Sequence, residues 1–163
     1  MKLSVMALLI SFSSLILIAC GPPPPPPLKP LILEGTPSAA TGIKNIRIGD
    51  TDWDVTFHEG SYDSLYSYTP PVDDHEATQK IFDAFNKLNV TGLSSDKGTC
   101  GLENINEVYR CHVVVPREIV LTQMQGSSVD LTKSGWDTKK YHLMLRDKDT
   151  TNEVFYVFYA KFK

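Results

Sequence analysis

Apolar and polar residues alternate on both sides of a turn at Gly49-Asp50. Alternation with a period of two indicates half-buried strands, and a glycine-containing turn between two such stretches indicates a hairpin. We therefore predict a hairpin that begins near Ile43. Its apolar face would be formed by Ile46, Ile48, Trp53, Val55 and Phe57.

A helical pattern follows, and it is the clearest one in the chain. Asp73 and Glu76 form a pair like a capping box in front of it. We expect a helix that starts at Asp73, ends at Asn89 or Gly92, and depends on packing against a sheet for its stability. The apolar stripe has helical spacing and consists of Ala77, Ile81, Ala84, Phe85 and Leu88.

The second half of the chain indicates strands joined by polar segments. Residues 93–111 contain much Gly, Asn and Ser, residues 125–138 are polar with two glycines, and we expect both to be loops. The strands would be His112–Val115, which Pro116 interrupts, then Tyr141–Leu145 and Val154–Phe162. The last of these is apolar on both faces, as in a central strand that is covered on two sides. The pattern predicts an α+β fold, an antiparallel sheet of about five to six strands with one main helix packed on one face.

The first nineteen residues are organised like a secretory signal. A positive start, Met1-Lys2, precedes the apolar stretch Leu3–Ile18, which is shorter than the roughly twenty residues that span a bilayer. The segment Leu17-Ile18-Ala19-Cys20 resembles the lipobox of bacterial lipoproteins. The resemblance implies that residues 1–19 are a signal peptide, and that Cys20 carries the lipid and becomes the first mature residue. The alternative is an ordinary signal peptide, or an uncleaved helix, with an unrelated cysteine.

The residues after Cys20 read as a linker. The unbroken run Pro22–Pro27 cannot form a helix or an inner strand, so we expect a stiff polyproline II spacer between the membrane and the domain. The alternative is a ligand for a proline-recognition domain. We divide the mature chain into a lipidated, proline-rich linker, residues 20–42, and a single globular envelope domain, residues 43–163. Gly21 stands where the inner-membrane retention signal of enterobacterial lipoproteins has Asp. If the host is Gram-negative, this favours the outer membrane, on its periplasmic or surface face.

The remaining cysteines form an even pair. With Cys20 assigned to lipid, Cys100 and Cys111 are left in a domain expected to be exported, where disulfides persist. A metal or redox site is the alternative, although ten intervening residues do not match the CxxC spacing of such sites. Without the signal peptide the chain has 15 basic and 19 acidic residues, since Lys2 is the only charged residue of the signal peptide. This acidic balance offers no basic patch for nucleic acid.

The sequence contains no recognisable catalytic, metal-binding or cofactor-binding motif. The histidines, His58, His75, His112 and His142, lack the spacing of zinc ligands, and surface positions are expected for them. Aromatic residues give the one candidate binding surface, which consists of Trp53, Tyr62, Tyr66 and Tyr68. The alternative is that these tyrosines cover the seam between the helix and the sheet.

One more resemblance concerns the start of the domain. Asn45–Phe57, then Glu59–Leu65, then a helix ending Phe82–Leu88, is similar to the opening of exported bacterial proteins sorted by a PEP-CTERM tail. Trp53 stands where that pattern has Tyr, and the chain ends at Ala160–Lys163 without the sorting tail. The resemblance implies an exported domain and no particular activity.

These features favour a non-enzymatic binding module of the cell envelope. Its partners would be the lipid bilayer, through acylated Cys20, and another envelope protein or an exogenous protein. Two alternatives stay open. One is a small envelope hydrolase whose histidines and aspartates meet on folding, and the other is an inhibitor of an exogenous enzyme.

The lipobox interpretation is tested by Cys20→Ser. Because the acyl chains attach to this cysteine, the variant is expected to remain an uncleaved precursor that takes up no labelled palmitate. Gel mobility and radiolabelling of cells grown with labelled palmitate measure both effects. Normal processing together with normal labelling would contradict the assignment of Cys20.

Overall fold

A computed structural model describes residues 29–66, 72–95, 98–102, 111–145, 147, 150 and 156–163. The predicted signal peptide, Cys20 and the proline run Pro22–Pro27 lie outside the described residues. Within them the chain forms nine strands and two helices. In chain order these are β1 (Ile32–Thr36), β2 (Ala39–Ile48), β3 (Thr51–His58), α1 (Tyr62–Leu65), α2 (Asp74–Lys87), β4 (Gly92–Ser95), β5 (Gly98–Gly101), β6 (Cys111–Val120), β7 (Gln123–Thr132), β8 (Gly135–Leu145) and β9 (Tyr156–Phe162).

The described strands belong to one curled sheet. Their order is β5-β4-β2-β3-β9-β6-β7-β8, and β1 pairs with β2. Two neighbouring pairs, β2 with β4 and β6 with β9, are parallel, and the others are antiparallel. The expectation of an α+β fold with five to six antiparallel strands is therefore wrong, because the described chain is mostly β and its sheet is mixed.

Strand β7 shows why the sequence underestimates the sheet. We expected residues 125–138 to be a loop because they are polar and contain two glycines. A Cβ atom at Gly126 would lie 2.1 Å from the carbonyl oxygen of Val115, so this glycine allows a close approach of two strands. The pairing register shifts beside Gly126 on β7 and beside Pro116 on β6. Here glycine and proline mark bulges within long strands, and they do not end them.

The sheet also begins earlier than the domain boundary expected at residue 43. Strand β1 pairs with β2 around a turn at Pro37-Ser38, and both strands include residues that we assigned to the linker. The expected loop 93–111 likewise contains β4 and β5, which pair with each other. Strands β4 and β5 consist largely of Gly, Ser and Thr, which give no alternation of apolar and polar residues.

The predicted helix is confirmed as α2. Asp73 is its N-cap, and the Asp73 side chain accepts a hydrogen bond of 2.8 Å from the backbone N–H of Glu76. The Phe85 ring lies 5.5 Å from the Phe57 ring and 4.5 Å from the Trp136 ring, measured between centroids. The main hydrophobic core therefore lies between α2 and one face of the sheet. The buried residues that α2 contributes are Ala77, Ile81, Ala84 and Phe85.

The prediction of a central strand covered on both sides is confirmed for β9. This strand lies between β3 and β6. Phe158 and Ala160 are buried in the core under α2. Val157 and Tyr159 are buried on the opposite face, in a second and smaller cluster with Tyr62, Val114 and Met124. The sheet is therefore packed on two sides at its centre.

The predicted disulfide between Cys100 and Cys111 is also confirmed. Their Cα atoms are 5.9 Å apart, and both side chains are buried in the main core. The bond joins β5 to β6, although β4, β2, β3 and β9 lie between these two strands in the sheet. It therefore fixes the curl of the sheet around the core.

Replacing both cysteines by alanine is expected to lower the free energy of unfolding by about 3 kcal/mol, because the bond no longer restricts the unfolded chain. Urea denaturation of the two proteins measures the difference. A reducing agent should destabilise the natural protein by a similar amount and leave the double variant unchanged. Equal stability of the oxidised natural protein and the variant would contradict the role given to this bond.

Candidate functional site

The structure describes three residues of the predicted aromatic surface, of which Tyr62 is buried and Trp53 and Tyr66 are half-buried. Tyr62 is only 3% exposed. Its ring stacks on that of Tyr66 with 5.0 Å between centroids, and the Tyr66 hydroxyl donates a hydrogen bond to the backbone carbonyl of Ala160. Trp53 is half-buried and meets Phe162 edge to face. Tyr68 lies outside the described residues.

Tyr62 and Tyr66 pack on the sheet face opposite α2, against Val157 and Tyr159, and the binding surface expected from the sequence stays a prediction. The short helix α1 holds them there. The hydroxyl groups of Ser61 and Ser64 each accept a hydrogen bond from the other residue's backbone N–H, so α1 begins with a reciprocal cap. The alternative role, covering the seam between α2 and the sheet, is not observed for Tyr62 and Tyr66, because these two pack with Tyr159 in the second cluster.

Exposed apolar side chains gather at a different place, where β6, β7 and β8 reach one end of the sheet. In the pairing register, Val120 of β6 and Leu145 of β8 both lie opposite Gln123 of β7. The side chains of these three residues therefore share one face of the sheet. We call the exposed group at this end of the sheet the apolar tip; it consists of Val120, Leu121, Leu143 and Leu145, together with Ile119, which lies opposite Met124 on the other face.

Leu121 is the most unusual residue of the apolar tip. It lies in the β6–β7 turn with its side chain 89% exposed and with a φ angle of +58°. A residue with a Cβ atom pays on the order of 1 kcal/mol or more in this left-handed region, where glycine or asparagine is favoured. Folding alone therefore gives no reason for a leucine at this position. A contact made by its side chain would give one.

A charged cluster lies on the sheet face opposite α2, around the buried carboxylate of Asp130. His112 Nδ1 lies 2.7 Å from one carboxylate oxygen, and Lys139 Nζ lies 2.7 Å from the other. The Ser128 hydroxyl donates a hydrogen bond of 2.8 Å to the same carboxylate. Burial alone would raise the pKa of Asp130, but the hydrogen bond and charge of His112, with Lys139 and Ser128, hold that pKa well below its usual range. The ionised carboxylate of Asp130 therefore links β7 to its two neighbouring strands, β6 and β8.

A second polar cluster lies on the α2 face, around Ser127. The Ser127 hydroxyl donates to a carboxylate oxygen of buried Asp74 at 2.7 Å, and it also contacts Nδ1 of His75. In a serine hydrolase the histidine lies between the serine and the carboxylate, where it can take the hydroxyl proton. Here the serine lies between the other two groups, and its hydroxyl donates a hydrogen bond to Asp74. This arrangement attaches the first turn of α2 to β7.

The hydrolase alternative would be favoured by a cleft that holds two histidines beside one carboxylate. Of the histidines with described side chains, His75 lies on the α2 side of the sheet and His112 on the opposite side. His58 contacts the Thr56 hydroxyl on β3. The side chain of His142 lies outside the described part of the structure. The described histidines therefore do not converge on a single carboxylate.

Neither a metal site nor a membrane-spanning helix is seen among the described residues. Within them, no three side chains of His, Cys, Asp or Glu lie close enough together to hold a metal ion. None of the described helices has the length and apolar character needed to cross a bilayer. No protein-family model, curated protein or solved structure matches this chain. The function must therefore be argued from the geometry, and the apolar tip is the candidate site, a feature that the sequence shows only as the apolar run Ile119–Leu121.

The Asp130 cluster predicts a specific dependence of stability on pH. Because the folded-state pKa of Asp130 is lowered, its stabilising effect is complete above the unfolded value near 4 and is lost as the pH falls below that value. Asp130→Asn is expected to cost about 3–5 kcal/mol at pH 7, since it leaves His112 and Lys139 beside an uncharged group. The difference from the natural protein should shrink between pH 5 and pH 3, measured by urea denaturation.

The matched control for this variant is Asp137→Asn. Asp137 lies opposite Asp130 on β8, but it is exposed. Its replacement should change stability by less than about 0.5 kcal/mol at every pH. A pH-independent loss in Asp130→Asn would show that the charge of Asp130 is not what stabilises these strands.

Proposed function

We propose that this protein is a membrane-anchored lipoprotein of the bacterial envelope, and that its globular domain is a non-enzymatic binding module whose apolar tip docks onto a partner protein. The observation that carries the proposal is the apolar tip itself, with Leu121 almost fully exposed beside Val120 and Leu145. Single exposed apolar residues are common on soluble domains, but contiguous groups mark interaction sites. The partner is another protein of the envelope or an exogenous protein.

The backbone strengthens this interpretation of the tip. A strained, solvent-exposed leucine costs the free domain stability, and removing its side chain from water on docking offsets that cost. Two other apolar side chains, Val120 and Leu145, are held beside it by the ladder of β6, β7 and β8. Because the strands fix this arrangement before docking, little conformational entropy is lost on binding.

The anchor proposed from the sequence would bring the tip to its partner at the membrane. Several acyl chains on Cys20, at about 0.8 kcal/mol for each buried methylene, would tether the chain stably. About eleven residues separate Cys20 from Ile32, where β1 begins. A polyproline II conformation rises about 3.1 Å per residue, so this spacer would reach on the order of 30 Å. The domain could then contact partners that stand clear of the lipid headgroups.

Site-specific photo-crosslinking in the anchored protein tests the proposed docking site. A photoreactive amino acid at Val120 is expected to form a discrete adduct with one protein in intact cells, seen as a shifted band and identified by mass spectrometry. The control position is Asp50, which is fully exposed in the turn of a different hairpin, β2–β3. Adducts only with lipid, or the same adducts from both positions, would contradict docking of a protein at the tip.

Leu121→Gly separates docking from folding. Glycine adopts positive φ freely, so the free energy of unfolding should be unchanged or higher by up to about 1 kcal/mol. Combined with the photoreactive residue at Val120, this variant is expected to reduce the protein adduct several-fold, because the most exposed apolar side chain is missing. A full yield of adduct would show that Leu121 does not take part in docking.

A further inference from the structure

A small cavity lies on the α2 side of the sheet, between the first turns of α2 and the strands β7 and β8. Its volume is about 50 Å³. One water molecule needs roughly 10–15 Å³ of such space, so the cavity has room for a few oxygen-sized atoms. It is open to solvent at one side, and it is separate from the apolar tip. The residues that matter for its chemistry are His75, Thr78, Ser127 and Lys140.

Thr78 gives the cavity an unmet requirement for a hydrogen bond. It is 3% exposed, and its hydroxyl has no hydrogen-bond partner within the described part of the chain. A buried hydroxyl without a partner costs about 1–3 kcal/mol, and native proteins rarely retain such a group without a reason. Because Thr78 lines the cavity, a group bound there would be in a position to accept a hydrogen bond from its hydroxyl.

The charges around the cavity favour a hydrogen-bond acceptor that is negatively charged. The cavity lies beside the N-terminal turns of α2, a helix of fourteen residues, where the peptide dipoles attract anions. Lys140 lines it and carries a positive charge, while the ammonium group of Lys139 is held by Asp130. Asp74 opposes an anion, but its carboxylate is engaged by the Ser127 hydroxyl at 2.7 Å and by His75 at 3.6 Å.

We propose that this cavity binds a small oxyanion group, a carboxylate or a phosphate. The Thr78 hydroxyl donates to one oxygen of that group, and Lys140 provides the positive charge. The cavity holds only the charged group, so the ligand is either the free ion or the terminal group of a larger molecule. The nearby charge of Asp74 limits the affinity, and binding is expected in the millimolar range.

Titration of the full-length protein in a non-ionic detergent tests this site. Sodium phosphate and sodium acetate serve as separate probes, with the ionic strength held constant by chloride. Threonine methyl groups labelled with ¹³C report on the site by NMR, and the Thr78 signal is assigned by its absence from Thr78→Val. Saturable movement of this signal with either probe supports the proposal, and comparison of the two probes identifies the preferred oxyanion. Movement with neither probe would overturn it.

Three variants show whether the named residues hold the anion, with calorimetric titration as the readout. Thr78→Val keeps the shape of the side chain and removes the hydroxyl, and Lys140→Gln removes a charge at an exposed position. Each is expected to weaken binding at least fivefold. Lys80→Gln removes a charge from an exposed position of α2 outside the cavity, and it should leave the affinity unchanged. Equal affinity in all three variants would place the anion elsewhere and refute the site.

Discussion

The pairing of β9 with two strands at once is the interaction on which the rest of the fold depends. On one side β9 pairs with β3, which connects it to β2, β4 and β5, and on the other it pairs with β6, which connects it to β7 and β8. Without β9 the two halves of the sheet would share no strand-to-strand hydrogen bonds within the described chain. The disulfide between Cys100 and Cys111 is a second link between the same halves, on the inside of the curl.

Elements whose sequence pattern comes from burial could be predicted. The stripe from Ala77 to Phe85, the hairpin of β2 and β3, and the two-sided strand β9 each place apolar residues with the period of one structure. Strands stabilised by close backbone approach or by polar side chains could not. In β7, Gly126 permits contact with β6, and Ser127, Ser128 and Asp130 make hydrogen bonds where apolar residues would be expected. Such residues resemble a loop until their partners are known.

The same limit applies to the candidate sites. Tyr62 and Tyr66 attracted a binding hypothesis because aromatic side chains suit interfaces, but their position depends on α1 and on the far end of the chain at Ala160. The apolar tip depends on the register of three strands, and the cavity depends on α2 lying across β7 and β8. The spacing of residues along the sequence does not show contacts between residues that are far apart in the chain. The pairing of Cys100 with Cys111 could be predicted because counting cysteines requires no geometry.

The position of β9 after the other strands in chain order also affects when the protein can fold. Val55 pairs with Phe162, so the central seam closes only after the chain between them has been synthesised. Contacts of such long sequence separation form slowly, because closing a long loop costs entropy before any pairing is gained. A chain that crosses a membrane through a narrow channel must remain unfolded until it has passed. Of the described strands, the one that closes the sheet comes last in the chain, which delays compact structure during synthesis and is compatible with the export predicted from the sequence.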